Sequence, residues 1–257
     1  MPRSRKLRTP EEPNRPAGLD TPDGRPPSFS VTVAVALVTA IEGEMRALLI
    51  RRSEPPEQGR FALPIGFVGG KESPEEAALR VLRKKAGVSD VYLAQLYTFG
   101  APNRDPRGRV ITVAYYALVD AGRLGSVRPG EGVLLSALRV PWKGETGGPV
   151  EALGEAVGEG GASLPLAFDH GEILGMVVKR LRGKLHYAPV GFQLLPPAFT
   201  LRDLQLVHET ILGQRLNKDS FRRSMLASGL LEPTGEIEAK VGHRPAAFYR
   251  FTQASAI

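Results

Sequence analysis

The chain has 257 residues and a formal net charge of +7, and it contains no cysteine. This length accommodates one large or two modest domains, and the lack of cysteine excludes a disulfide framework and a cysteine-based zinc site. The longest apolar run, residues 31–40, is too short to span a membrane, and no secretory signal is visible, so we expect a cytoplasmic protein. The net positive charge favours a polyanionic partner, although a basic enzyme would have the same excess of positive residues.

The first part of the chain is predicted to hold an arm and then a sheet. Residues 1–27 are rich in proline and arginine and poor in large apolar residues, which predicts a disordered basic arm. From residue 28 onwards, β-rich runs are predicted as strands at 30–39, 46–51, 61–64, 92–99 and 110–119. With one helix among them, they predict a mixed α/β sandwich over residues 28–166.

The helix within this sandwich has strong start and stop signals. Ser73 is a good N-cap, Pro74 suits the first helical position, and Glu76 completes a capping box. Gly87 is a typical helix stop, so the helix is predicted to end at about Ala86.

The segment that follows the sandwich is predicted to connect two halves of the molecule. Residues 143–163 are rich in glycine and acidic residues, which indicates a flexible excursion. A helix is then predicted from Asp169 to about Leu181, with His170 capping or packing at its start and Gly183 as its stop. We expect residues 167–190 to join the two halves.

The last part, residues 191–257, has the pattern of a winged helix-turn-helix. Thr200 and Asp203 cap one helix that Gly213 ends, and a basic helix follows with Phe221, Met225 and Leu226 facing inward; a β-hairpin comes last. Donors on the second helix and the wing are the DNA-binding candidates, because base edges and phosphates need donors. They are Lys218, Ser220, Arg222, Arg223, Thr234, Lys240, His243 and Arg244. A module that pairs with protein is the alternative.

Residues 66–88 resemble the Nudix box, whose pattern is G-x5-E-x7-R-E-U-x-E-E-x-G-U with U aliphatic. Gly66, Glu72, Arg80 and the final Gly-Val match, but the three remaining glutamates are replaced by Val81, Lys84 and Lys85. These three positions share one helix face, where carboxylates would bind Mg²⁺ for phosphoryl chemistry. We therefore expect no metal site, no cofactor and no hydrolase activity.

A wider resemblance covers residues 29–251. The stretches LPIGFVGGKESPEEAALRVL, YTFGAPNRDPRGRVITVAYYALV, LAFDHGEIL, LPPAFTLRDLQ and GHRPAAFYRF are similar to the Nudix-related transcriptional regulators that repress genes of NAD metabolism. The resemblance implies a Nudix-like mixed α/β sandwich followed by a C-terminal winged helix-turn-helix domain. It also implies a homodimer that binds a double-stranded DNA operator and senses ADP-ribose or a similar small phosphorylated effector.

The same resemblance points to an effector site built from arginines and an aromatic ring. Guanidinium groups bind phosphate in a bidentate manner, and an aromatic face stacks on a base. The candidates are Arg51, Arg52, Arg60, Phe61, Arg80, Lys84, Lys85, Arg104, Asp105 and Arg107. Arg80 is expected either to pair with Glu72 or to face the effector. Each arginine taken alone fits a surface ion pair better, and only the group as a whole favours effector binding.

Two other functions remain open from the sequence. One is an active Nudix hydrolase of nucleoside diphosphate sugars, similar to ADP-ribose pyrophosphatase, with Glu72, Glu75 and Glu76 as metal ligands. The other is a ligand-binding scaffold whose C-terminal module binds protein, which salt-insensitive behaviour would favour because DNA binding depends steeply on salt.

Overall fold

The structure is a computed structural model that describes residues 28–126, 132–154, 161–185, 187–239 and 245–252. The predicted arm at 1–27 and the wing candidates Lys240, His243 and Arg244 lie outside the described residues. Within the described residues, no helix is long and apolar enough to cross a membrane.

The N-terminal domain is built on a mixed nine-stranded sheet. Its strand order is β5-β6-β1-β2-β7-β8-β9, with β3 paired to β2 and β4 paired to β1. Strands β1 and β6 run parallel, and the other paired strands of this sheet are antiparallel. The strands are β1 Ser30–Ile41, β2 Glu44–Arg51, β3 Phe61–Ala62, β4 Ile65–Phe67, β5 Tyr92–Phe99, β6 Val110–Leu118, β7 Val133–Arg139, β8 Glu151–Leu153 and β9 Ser163–Leu164.

Each face of this sheet is covered by a helix. Alternate residues of β1 point to opposite faces, as the pleat requires. Val33, Val35 and Leu37 pack in one cluster with helix α1, Pro74–Ala86. The residues between them, such as Ala36, pack in a second cluster with helix α2, His170–Lys184. The mixed α/β sandwich predicted from the sequence is therefore confirmed.

Helix α1 begins and ends where its local signals predict. Ser73 accepts a hydrogen bond from the Glu76 amide, and the Glu76 carboxylate accepts one from the Ser73 amide, which completes the capping box. Gly87 follows in the left-handed conformation, at φ 64°. Both ends are fixed by residues within one turn, which is why they can be read from sequence.

The prediction that residues 143–163 form only a flexible excursion is wrong for the described part of that segment. Strand β8 pairs with β7, and Val150 and Ala152, immediately before it and within it, are buried. The glycines allow close packing, because a Cβ built on Gly175 of α2 would lie 1.8 Å from the Gly148 carbonyl oxygen. Gly148 itself has φ 134°, a conformation that favours glycine.

The prediction that Gly183 ends helix α2 is also wrong. The helix runs through Gly183 to Lys184, and the following Leu185 is still right-handed at φ −56°. Burial of Leu181 and Arg182 in the same turn holds the helix together past the glycine. At the other end, Asp169 occupies the N-cap position without a capping hydrogen bond, because its carboxylate binds Arg104 instead.

The C-terminal domain contains the predicted helix-turn-helix and β-hairpin, and a third strand that was not predicted pairs with the hairpin. Two capped helices are followed by a β-hairpin, and the sheet has the strand order β10-β12-β11. Leu226 was expected to face inward but is 46% exposed, because Phe221 and Met225 already fill the buried side of its helix. The elements are β10 Phe199–Thr200, α3 Leu201–Leu212, α4 Lys218–Ala227, β11 Leu231–Ile237 and β12 Ala247–Phe251.

The close approach of α2 to residue 148 can be tested with two alanine substitutions on the same helix. Gly175→Ala should lower the free energy of unfolding by roughly 1–3 kcal/mol through overpacking against the backbone. Gly183→Ala is the matched control, because its new Cβ would meet only the mobile end of Glu145, at 3.0 Å. Both variants gain similar helix propensity, so urea unfolding of the pair isolates the clash. Equal stabilities would contradict this packing.

Candidate functional site

The one box glutamate that the sequence retains is held in an ion pair. Glu72 accepts two hydrogen bonds from Arg80, at 2.5 and 2.8 Å, and one from the Gly69 amide at 2.8 Å. The Arg80 guanidinium, followed by this amide, lowers the pKa of Glu72 to about 2. Arg80 also donates to the Phe67 carbonyl at 2.9 Å. The pairing of Arg80 with Glu72 is thus confirmed, and the carboxylate serves to fix the loop that precedes α1.

The other box positions offer no carboxylate. Val81 is 2% exposed and packs on the chain at Gly66, where an added Cβ would lie 2.7 Å from its Cγ2 atom. Lys84 and Lys85 are exposed. Partial loss of hydration, followed by the charge of Arg52, lowers the pKa of Lys85. Among the described residues, no group of three or more histidine or acidic side chains is arranged to hold a metal ion.

Two arginines and two aromatic rings meet beside the N-terminus of α2. The guanidinium of Arg52 lies 4.9 Å from the centre of the Phe168 ring, and that of Arg107 lies 6.0 Å from it. Arg107 also lies 5.8 Å from the ring centre of Phe67, which is 53% exposed. We call Arg52, Phe67, Arg107 and Phe168 the Phe168 cluster. Its guanidinium groups suit phosphate, and its rings suit a planar base.

Both arginines of the Phe168 cluster are held in place by short-range contacts. Arg107 forms two hydrogen bonds to Asp105, at 2.7 and 3.0 Å, and Asp105 is only 6% exposed. This contact lowers the pKa of Asp105. Arg52 donates to the carbonyls of Pro56 and Glu54, at 2.8 and 3.3 Å. Because those acceptors are neutral, they orient the Arg52 guanidinium without cancelling its charge.

Arg104 is buried next to the Phe168 cluster, where it bonds to the residue that follows Phe168. Its side chain is 4% exposed and forms a bidentate ion pair with Asp169, at 2.5 and 2.8 Å. It also donates to the hydroxyl of Thr112, which lies 2.7 Å from the hydroxyl of Thr32 on β1. The expectation that Arg104 contacts the effector is therefore not supported. Its guanidinium is occupied in joining the 100–109 loop to the start of α2.

His170 packs at the start of α2, in line with the sequence prediction. It is fully buried, and its Nδ1 atom accepts a hydrogen bond of 2.9 Å from the Leu63 amide. Burial lowers its pKa to about 4, so the ring is neutral at pH 7 and carries its proton on Nε2. This contact ties the segment between β3 and β4 to the helix beside whose N-terminus the Phe168 cluster lies.

The remaining effector candidates lie away from the Phe168 ring contacts. Arg51 donates to the Gly59 carbonyl at 3.2 Å. Arg60 is paired with Glu57 at 2.8 Å and donates to the Leu166 carbonyl. Phe61 is half-buried, and its backbone bonds to residues 165 and 167. A direct contact of these three residues with an effector stays a prediction.

Helix α4 presents a basic, exposed face. Lys218, Ser220, Arg222 and Arg223 are all exposed, whereas Phe221 is buried with its ring centre 5.1 Å from that of His208. The predicted arrangement, with hydrogen-bond donors exposed on one side of α4 and Phe221 buried on the other, is therefore present. What the exposed side chains bind stays a prediction. In the wing, the Thr234 hydroxyl donates to the Phe248 carbonyl at 3.3 Å, which makes it part of the hairpin.

A groove of about 950 Å³ lies between α3, α4 and β12. Besides Lys218 and Arg222, it is lined by Arg202 and Arg215, two cations that the sequence analysis did not select. The turn between the helices is held by Glu209, which accepts from the Leu216 amide and the Gln205 side chain at 2.9 Å each. These bonds fix the turn, and with it the position of the basic side chains of α4 relative to those of α3.

Both halves of the chain match known families. The NUDIX domain model matches residues 30–143, and the NrtR DNA-binding winged helix domain model matches residues 191–251. The ADPR responsive transcriptional repressor NtrR of Acinetobacter baylyi is 35% identical over 227 residues, which cover 88% of this chain and 83% of that protein. The chain belongs to the NrtR family of Nudix-related transcriptional regulators.

Two further likenesses bear on this NrtR-family chain. The crystal structure of Shewanella oneidensis NrtR complexed with a 27mer DNA superimposes with a TM-score of 0.69 at 33% identity, over 86% of this chain and 93% of that one. The ADP-ribose pyrophosphatase of Methanocaldococcus jannaschii is 40% identical over 91 residues, which cover 35% of this chain and 54% of that enzyme. The likeness to NrtR therefore extends over most of the chain, and the likeness to the enzyme over about a third.

The aromatic half of the Phe168 cluster was not predicted from the sequence of this NrtR-family chain. Phe168 has φ 51°, a left-handed conformation that is strained for an aromatic residue and is often found at functional sites. The signal was present in the LAFDHGEIL stretch, but spacing alone does not show that its ring meets Arg52 and Arg107. Phe67 was likewise hidden, because it lies in the Gly-rich turn as one aromatic residue among small ones.

Burial of His170 predicts a pH-dependent stability. Between pH 6.5 and about 4 the unfolded chain binds a proton on this ring and the folded chain does not. Stability should therefore fall as the pH is lowered through that window, with a slope of at most about 1.4 kcal/mol per pH unit from this group. In His170→Gln, which keeps an acceptor for the Leu63 amide, urea unfolding should show a shallower slope. Identical slopes would contradict the buried neutral ring.

Proposed function

We propose that this chain is an ADP-ribose-responsive transcriptional repressor that acts in the cytoplasm. The observation that carries the proposal is one continuous structure in which the Phe168 cluster and an exposed basic α4 are joined through α2. The relative from Acinetobacter baylyi is an ADPR responsive repressor, and Shewanella oneidensis NrtR is complexed with DNA, which supports the same pair of ligands here.

The effector site of this proposal is the Phe168 cluster. The diphosphate of ADP-ribose would bind to Arg52 and Arg107, whose fixed guanidinium groups suit phosphate oxygens. Lys85 would add positive charge to this site, because the charge of Arg52 already contributes to the lowered pKa of the lysine. The adenine ring would stack on Phe168 or Phe67, whose ring centres lie within 6.0 Å of an arginine.

In this proposal the Nudix domain binds ADP-ribose without hydrolysing it. Val81, Lys84 and Lys85 stand where Mg²⁺ would need carboxylates, and Glu72 is committed to Arg80. The likeness to an ADP-ribose pyrophosphatase keeps hydrolysis as the alternative function. Mg²⁺-dependent release of AMP from ADP-ribose by the purified protein would favour the alternative.

DNA binding in this proposal follows from α4. Its exposed donors would enter the major groove, and the wing and the cations of the adjoining groove would contact the phosphate backbone. Paired half-sites would be read by a homodimer, because a two-fold protein presents two equivalent recognition helices.

The effector site is tested by two alanine substitutions and a matched control. Phe168→Ala and Arg52→Ala should each weaken ADP-ribose binding about tenfold, which is about 1.4 kcal/mol, since each removes one desolvated contact. Arg139→Ala serves as the control. Arg139 of β7 pairs with Glu151 of β8, at the end of the sheet away from Arg52. The affinity of this variant for ADP-ribose, measured by calorimetry, should therefore not change. Unchanged affinity in both Phe168→Ala and Arg52→Ala, or an equal loss in Arg139→Ala, would contradict the assignment.

The DNA interface is tested by the salt dependence of binding. Arg223→Ala should lower the slope of log affinity against log salt by about 1 if the residue contacts phosphate, and Arg222→Ala should cost about 1–3 kcal/mol of operator preference if it contacts a base. Arg83→Ala, an exposed change on α1, is the control. Fluorescence anisotropy with operator and scrambled duplexes measures both quantities. Unaltered slope and preference in both α4 variants would exclude α4 as the recognition helix.

A further inference from the structure

Arg182 is a buried cation at the junction of the two domains. It lies in the last turn of α2 and is 4% exposed. Its Nε atom donates to the Ile211 carbonyl at 2.9 Å, and its Nη1 atom donates to the carbonyls of Gly144 and Trp142 at 2.8 and 3.3 Å. Its guanidinium carbon also lies 4.8 Å from the centre of the Trp142 ring. One side chain therefore connects α2, α3 and the loop after β7.

The acceptors of Arg182 explain how this charge is tolerated. The Ile211 carbonyl belongs to the last turn of α3, where carbonyl groups lack helical partners and carry partial negative charge. Burial lowers the pKa of Arg182, yet a guanidinium stays protonated at pH 7. Three carbonyls and an aromatic face replace its water, so any shorter or uncharged side chain would leave buried acceptors unpaired.

The position of Arg182 along α2 places it at the opposite end from the Phe168 cluster. The helix has 15 residues and therefore spans about 22 Å. Asp169, at its start, is fixed by Arg104, and Arg182, near its end, is fixed to α3. Helix α3 is in turn tied to Leu216, in the turn before α4, through Gln205 and Glu209, so the placement of α4 depends on this chain of contacts.

We propose that Arg182 is a positioning residue for operator binding: it fixes α3, and through the turn α4, against the N-terminal domain. This inference rests on the proposed DNA-binding function. A purely structural role would instead lower overall stability and leave the discrimination between operator and other DNA unchanged.

The experiment uses full-length Arg182→Met and Arg182→Lys, with Arg180→Met as the matched control. Arg180 lies on the same helix but donates to the Leu96 carbonyl of β5, within the N-terminal domain, at 3.1 Å. Lysine retains the charge but not the planar fork, so Arg182→Lys separates geometry from charge. Affinities for operator and scrambled duplexes are measured below the unfolding transition of each variant.

Both Arg182 variants should bind the operator about tenfold more weakly, which is about 1.4 kcal/mol, and bind scrambled DNA as the unchanged protein does. Arg180→Met should retain the full preference for the operator. An unchanged preference in both Arg182 variants would overturn the inference, and so would an equal loss in Arg180→Met.

Hydrogen exchange of the same proteins separates this inference from the proposed function. The amide of Gly213, which bonds to the Glu209 carbonyl at 2.8 Å in the last turn of α3, should exchange faster in both Arg182 variants and not in Arg180→Met. If the unchanged protein shows no preference for the operator, the proposed function fails. Unaltered exchange at Gly213 would then show independently that Arg182 does not fix α3.

Discussion

The burial of helix α2 between two parts of the molecule is the constraint on which the rest depends. Leu174, Val177, Val178 and Leu181 are at most 1% exposed, and they belong to one core with sheet residues and with residues of α3 such as Leu204. Burial of each such aliphatic side chain contributes roughly 1.5–3 kcal/mol. The same helix thus completes the N-terminal sandwich and supports the helix-turn-helix, so the orientation of the second domain is set by packing.

In the altered Nudix box, the residues that begin and end the helix are kept, and the residues that would bind the metal are replaced. The capping box of α1 and the terminal Gly87 are intact, because they involve residues outside the catalytic positions. At those positions, Val81 packs on Gly66, and two lysines face outward. Positions that carry carboxylates in a hydrolase are therefore apolar or cationic here, and the uncancelled charge of Arg52 lies beside the aromatic ring of Phe168.

Local signals could be read from the sequence, and tertiary ones could not. The predicted strands, both capping boxes and the winged helix are confirmed, because caps and alternation act within a few residues. The stop at Gly183 and the loop at 143–163 were mistaken, since packing against α2 overrides glycine content. The surroundings of Arg104 and Phe168 could not be predicted for a similar reason: Arg104 is paired with Asp169, 65 residues away, and the Phe168 ring lies near Arg52 and Arg107. The effector and operator contacts themselves remain predictions.

The most direct test of the account is the affinity of the full-length protein for its own upstream DNA, measured at two salt concentrations with and without ADP-ribose. We expect a salt-dependent preference over a scrambled duplex and a change in operator affinity of roughly 5–150-fold when ADP-ribose saturates the N-terminal domain. Absence of DNA binding at low salt would contradict the assignment of the winged helix. An operator affinity that is the same with saturating ADP-ribose would contradict the coupling through α2.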